Sequence, residues 1–228
     1  MNHRTVKALA AATILAMGAA ACSSSGSSSS SSSTSTSKEG APLVIVDNTG
    51  QVFAQTFNPY VSTSLGVEDN MQSMTYEPLL EFNIMQPTQA PIPWLATSYA
   101  WSNNGKTLTF TIRPGVKFSD GTPMTASDVA FTFNLLMKNS TLASQAPAPT
   151  PLPVSATAPN STTAVLTFAQ PEYANLFLIG STYILPAHIW QSVSNPATYA
   201  DATPVGTGPY ELGSFSAQKV TLDRKSVV

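Results

Sequence analysis

Few side chains here could do chemistry: the thiol of Cys22, the imidazole of His188 and the carboxylates of Glu77 and Glu81. Cys22 is the only cysteine, so disulfides, thiol nucleophiles downstream of it and cysteine metal sites are excluded. His188 is the one histidine apart from His3. It has no second histidine at ligand spacing and no H-E-x-x-H around it, so it reads as a structural, capped histidine. Glu77 and Glu81 are four apart, as on one helix face, but Pro78 interrupts that helix and makes a working acid/base pair a poor reading. There is no G-x-S-x-G and no phosphate-binding glycine loop. The sequence therefore offers no catalytic constellation, no resident metal or cofactor, and no basic patch for nucleic acid.

The beginning of the chain determines its compartment. Arg4 and Lys7 precede an apolar run, Ala8 to Ala21, of about a dozen residues, a secretory leader too short to span a bilayer. Ala19-Ala20-Ala21 before Cys22 resembles a bacterial lipobox, although Ala19 stands where Leu is usual. The resemblance implies diacylation of Cys22 after cleavage, and two acyl chains at about 0.8 kcal/mol per buried methylene anchor stably. Ordinary cleavage after the A-x-A formed by Ala19 and Ala21 is the alternative. Ser23 to Gly40 is almost all Ser, Thr and Gly, the composition of a disordered tether. Omitting Arg4 and Lys7, 8 basic residues stand against 12 acidic ones.

The elements that must position any site are clearest between Tyr99 and Met137. Leu108, Phe110 and Ile112 alternate with Thr107, Thr109 and Thr111, a strand with one wet face. Asn104-Gly105 before it suits a two-residue hairpin turn. Asp120-Gly121 predicts a second tight turn. Thr125 and Asp128 form a capping box that starts a helix to about Lys138, with Val129, Phe133, Leu136 and Met137 on its apolar face. Elsewhere, Pro42 to Asp47 predicts a buried strand, Thr56 to Tyr60 a turn, and Leu65 to Glu77 a helix limited by Pro78. Pro91 to Trp94 and Ser144 to Pro153 read as loops. Val154 to Phe168 predicts two strands around Asn160, and Glu172 to Ile179 a short helix. From Pro204 the chain returns to a strand with Tyr210, Leu212 and Phe215 packing.

The run from Trp101 to Val129 resembles the signature region of the family 5 solute-binding proteins, the oligopeptide-, dipeptide- and nickel-binding lipoproteins of ATP-binding-cassette (ABC) importers. It keeps Trp101, Gly105, Thr107, Phe110, Arg113, Gly115 to Thr122, Pro123, Thr125, Ala126, Asp128 and Val129. Asn104 stands where Asp is usual and Met124 where Leu is usual. Tyr76-Glu77-Pro78-Leu79, Ile184 to Trp190 and Pro204 to Tyr210 resemble three further family segments in the family's order. The resemblance implies a mixed α/β fold of the periplasmic-binding-protein type II class. Residues 41–222 would be the first lobe with its inserted subdomain, and the second lobe would be absent from this chain. It implies a receptor, not an enzyme, that binds a peptide or similar small solute. Its partners would be an ABC permease and ATPase, and it would work as a monomer anchored to the cell membrane. A non-transporting sensor or adhesion lipoprotein of the same fold is the alternative, and a secreted enzyme a more remote one. By the same resemblance Asn58, Pro59, Tyr76, Gly206, Thr207, Gly208, Pro209 and Tyr210 lie near the ligand cleft or the lobe crossing. A purely structural turn is the competing reading for Gly206 and Gly208. Residues 223–228, after the strand-like Val220 to Leu222, match the translation of a common sequencing adaptor and are expected to be a non-native tail, with Asp223 and Arg224 open because the family also tolerates them.

Overall fold

A computed structural model describes residues 43–46, 52–145 and 150–225. The leader, Cys22 and the tether lie outside the described residues. The described elements follow in the order β1 (Leu43–Val46), α1 (Leu65–Glu68), α2 (Gln72–Thr75), β2 (Leu80–Glu81), β3 (Ile92–Pro93), β4 (Ala96–Ser102), β5 (Thr107–Ile112), α3 (Ala126–Lys138), α4 (Ser140–Gln145), β6 (Ser155–Asn160), β7 (Thr163–Thr167), α5 (Leu176–Gly180), α6 (Ala187–Trp190), β8 (Tyr210–Ser216) and β9 (Lys219–Arg224). They form a four-stranded sheet β4-β5-β7-β6, a three-stranded sheet β1-β9-β8 and the small pair β2-β3. All pairings are antiparallel.

The expected alternation in β5 is present: Leu108, Phe110 and Ile112 are buried, while the intervening threonines are half-buried or exposed. Leu108 sits opposite Leu166 and Phe110 opposite Ala164 on β7. On this face α3 lays Val129 and Phe133. Each large apolar side chain so buried contributes about 1.5–3 kcal/mol relative to exposure. The turn before β5 is longer than expected. Ser102 pairs with Thr107, so the loop is 103–106, and Asn103 and Asn104 both take positive φ, 50° and 52°, before Gly105 at 81°. Asn-Gly still supplies left-handed backbone, with Asn103 added to it. The Asp120-Gly121 turn forms as read, with Gly121 at φ 86° and the Thr122 amide donating to Asp120 Oδ1 at 2.9 Å.

The capping box is complete. Thr125 Oγ1 accepts from the Ser127 amide, and Asp128 Oδ2 accepts from the Thr125 amide at 2.8 Å. The same carboxylate also reaches across the fold. Asp128 Oδ1 accepts from the Ala187 amide at 3.0 Å, at the start of α6. One turn on, Thr132 Oγ1 accepts from the Leu185 amide at 3.0 Å. Removing the cap hydroxyl by Thr125→Ala is expected to cost about 1 kcal/mol. A urea denaturation midpoint that does not move would sink that assignment.

Other boundaries differ from expectation. The segment from Leu65 to Glu77 is two short helices, broken where Asn70 takes φ 60°. Tyr76 is already extended, as a residue near Pro78 must be for the chain to enter β2. Ile92–Pro93 is a two-residue strand and not a loop, paired to Leu80–Glu81. In the small sheet β9 runs two residues past Leu222, pairing Glu211 with Asp223 and Tyr210 with Arg224. Beneath it Phe57, Leu65, Met71, Val220 and Leu222 form their own cluster, with Tyr210, Leu212 and Phe215 against it.

Candidate functional site

Of the residues singled out in sequence, Tyr76, Gly206 and Gly208 meet at one crossing. Residues 204–209 pass directly over the chain at Met74–Tyr76. The Gly208 amide donates to the Thr75 carbonyl at 3.0 Å, and the Ser119 amide donates to the Gly206 carbonyl at 3.0 Å. A Cβ on Gly206 would lie 1.8 Å from the Thr75 oxygen, and one on Gly208 would lie 2.3 Å from the Met74 oxygen. Both glycines are therefore there for backbone contact; a positive φ is not the reason.

Tyr76 packs against Gly206 at this crossing, and both Tyr76 and Asn58 are fully buried. The Asn58 amide donates to the carbonyls of Pro196 and Tyr199, each at 2.9 Å, and its Oδ1 accepts from the Tyr60 amide. This makes Asn58-Pro59 the clamp on the 196–199 loop. The Tyr76 hydroxyl donates to Asp201 Oδ2. Asp201 is buried, sits at φ 49°, and burial pushes its carboxyl up to about 6. The indole of Trp190, packed edge-on against Tyr199 with centroids 5.1 Å apart, has a buried N–H that faces the Tyr76 hydroxyl but makes no aligned hydrogen bond among the described residues. So the polar groups of Asn58 and Tyr76 are taken up by the chain itself, whereas Pro209 is exposed and Tyr210 half-buried.

An open polar face adjoins the crossing. The Trp94 indole N–H donates to Glu77 Oε1 at 3.0 Å, and Arg113 Nε donates to the Trp94 carbonyl at 2.9 Å. These residues, with Leu95 and Val116, line a pocket of about 230 Å³. Burial raises the Glu77 carboxyl above its usual range, against the lowering effect of Thr207, Trp94, Lys225 and Arg113. The Thr207 hydroxyl lies against this carboxylate, close enough to favour its charge but not aligned as a hydrogen bond. Glu81 is also raised, first by burial and then by the Glu77 charge. The two carboxylates lie on extended chain rather than on one helix face. His188 is structural, as expected: Nε2 meets Asp120 Oδ2 at 2.7 Å, tying the second turn to α6. A larger, uncharged pocket of about 430 Å³ lies between Phe82, Pro87, Pro91 and Phe177. Among the described residues no group of three or more His, Cys, Asp or Glu side chains could hold a metal ion.

Residues 90–226 match the middle region of the bacterial extracellular solute-binding proteins, family 5. The chain is 47% identical over 68 residues to the nickel-binding periplasmic protein of Escherichia coli K12, covering 30% of this chain and 12% of that protein. It is 32% identical over 126 residues to a probable D,D-dipeptide-binding periplasmic protein of the same organism, covering 53% and 24%. Its fold is similar to a periplasmic oligopeptide-binding protein of Thermotoga maritima, with TM-score 0.66 and 25% identity over 77% of this chain and 32% of that one. An oligopeptide-binding protein of Bacillus subtilis, solved with a nonapeptide, gives TM-score 0.60 and 23% identity over 76% and 35%. The chain thus spans about a third of the solved relatives and less of the curated ones.

Proposed function

This chain belongs to the bacterial extracellular solute-binding proteins of family 5, and on that premise we propose that it serves as the first lobe, with its inserted subdomain, of a receptor for an ABC importer. The receptor captures a peptide or a similar small solute outside the cytoplasm and delivers it to the permease and ATPase subunits. The observation that carries this reading is the family match over residues 90–226 together with the fold likeness to a periplasmic oligopeptide-binding protein over 77% of this chain. The Gly206 to Tyr210 segment then borders the cleft, with Tyr76 packed against Gly206 and Asn58-Pro59 at the 196–199 loop that leads into it. Closure of two lobes about a hinge is the motion such a receptor uses, and main-chain hydrogen bonds to an extended peptide give affinity with tolerance of side chains. Deleting the gene should abolish uptake of a labelled peptide. Uptake at the wild-type rate would favour a sensor or adhesion role instead, and turnover of peptide by the purified protein would make it an enzyme.

Lipidation of Cys22 and a Ser/Thr tether complete the proposal, supported by Ala19 to Ala21 and by the composition of 23–40. Cells fed a fatty-acid analogue should label the wild type and not Cys22→Ser. Equal labelling of both would rule the anchor out.

A further inference from the structure

Glu77 and Arg113 carry opposite charges on the walls of one pocket of about 230 Å³, yet they do not pair. Among the described residues the one ion pair is that of His188 with Asp120. Each of the two charges instead makes one bond to Trp94: Glu77 through Oε1 to the indole N–H, Arg113 through Nε to the carbonyl. Glu77 Oε2 and the terminal nitrogens of Arg113 are left without a partner among the described residues. The Thr207 hydroxyl, 7% exposed and without a hydrogen bond, lies against the same carboxylate. Lys225, the other nearby cation, donates to the Gly206 carbonyl at 3.2 Å. Between the two charges the wall is apolar: Leu95, Val116 and the ring of Trp94, which is 41% exposed.

A negative and a positive group held apart across an apolar wall are complementary to a small dipolar ligand. An ammonium has three donors, one of which can reach Glu77 Oε2. A carboxylate fits the fork of a guanidinium. We propose that this pocket binds the zwitterionic head of a free α-amino acid, with an apolar side chain lying on Trp94, Leu95 and Val116. The raised Glu77 carboxyl fits a half-buried acid with room for a cation. All these residues belong to this chain, so the site does not depend on the transport reading and would exist if that reading failed.

Isothermal titration of L-leucine into the purified chain tests this, alongside L-leucinamide, which lacks the carboxylate, and N-acetyl-L-leucine, which lacks the ammonium. L-Leucine should bind, and each analogue should bind about tenfold more weakly or worse. Glu77→Gln retains an acceptor for the indole but removes the charge, and Arg113→Met removes the guanidinium. Each should weaken L-leucine by a similar factor with an unchanged circular dichroism spectrum. Absence of heat at about 10 mM L-leucine, far above the Kd of any useful site, would overturn the proposal. So would equal binding of either analogue, or unaltered binding by both folded variants.

Discussion

Gly206→Ala is expected to lower stability by about 3 kcal/mol or more, toward the severe end of overpacking changes. The added methyl would stand 1.8 Å from the Thr75 carbonyl oxygen and 2.7 Å from its carbon. Backbone cannot swing aside as a long side chain can, so one strand of the crossing must shift. That shift would break the bond from the Gly208 amide to the same carbonyl. Gly208→Ala should behave alike, with Met74 as the obstacle. Gly115 and Gly121 provide the contrast. Both sit at positive φ, 81° and 86°, with open space around the missing Cβ, so alanine there should cost only the left-handed penalty of about 1–2 kcal/mol. Urea midpoints of the four variants measure the difference. A Gly206→Ala protein no weaker than Gly121→Ala would refute the close crossing.

The second large effect depends on pH. Burial disfavours the charge of Asp201 and pushes its carboxyl up to about 6 in the folded protein, from 3.8 for an ordinary aspartate. A carboxyl raised on folding binds its proton more tightly in the native state. Its stabilisation is therefore full below about pH 4 and is lost as pH rises through 6. The shift corresponds to about 3 kcal/mol at most. Asp201→Asn keeps an oxygen to accept from the Tyr76 hydroxyl, tolerates φ 49°, and carries no charge to bury. The variant should match the wild type near pH 4 and exceed it by as much as about 3 kcal/mol at pH 7. Glu77 and Glu81 are raised too, both chiefly by burial, so the difference between the two proteins isolates Asp201. Denaturation at several pH values, followed by tryptophan fluorescence, reads it. A constant difference across pH would sink the assignment.

What could be read from the chain was local. The alternation of β5, the Asp120-Gly121 turn and the Thr125 cap each depend on residues within a few positions of one another. Their burial and bonds follow the pattern closely. The break at Asn70 was local as well but ambiguous, since asparagine tolerates both helix and left-handed backbone. The rest depends on distant partners. Asp128 signals a helix start, yet nothing near it signals the Ala187 amide 59 residues later. Tyr76 and Asp201 are 125 residues apart. Gly206 and Gly208 were visible as permissive backbone, but the carbonyls they skirt belong to another segment. In sequence Trp94 is part of a proline-rich loop and Arg113 one letter of a signature; nothing near either signals that they line a pocket with Glu77.

The small sheet imposes an order in time. Leu43 pairs with Leu222, and Val46 with Lys219, so the first described strand waits for the last before it has a neighbour. At about 5–20 residues per second of synthesis, that delay is on the order of ten seconds or more. The β4–β5 hairpin closes over four residues and can form as soon as it is made. On refolding, amide protons of Leu43 to Val46 should therefore become protected well after those of Thr107 to Ile112. The two ends of the described chain meet last, and until they do the cluster under Val220 and Leu222 stays open on one side.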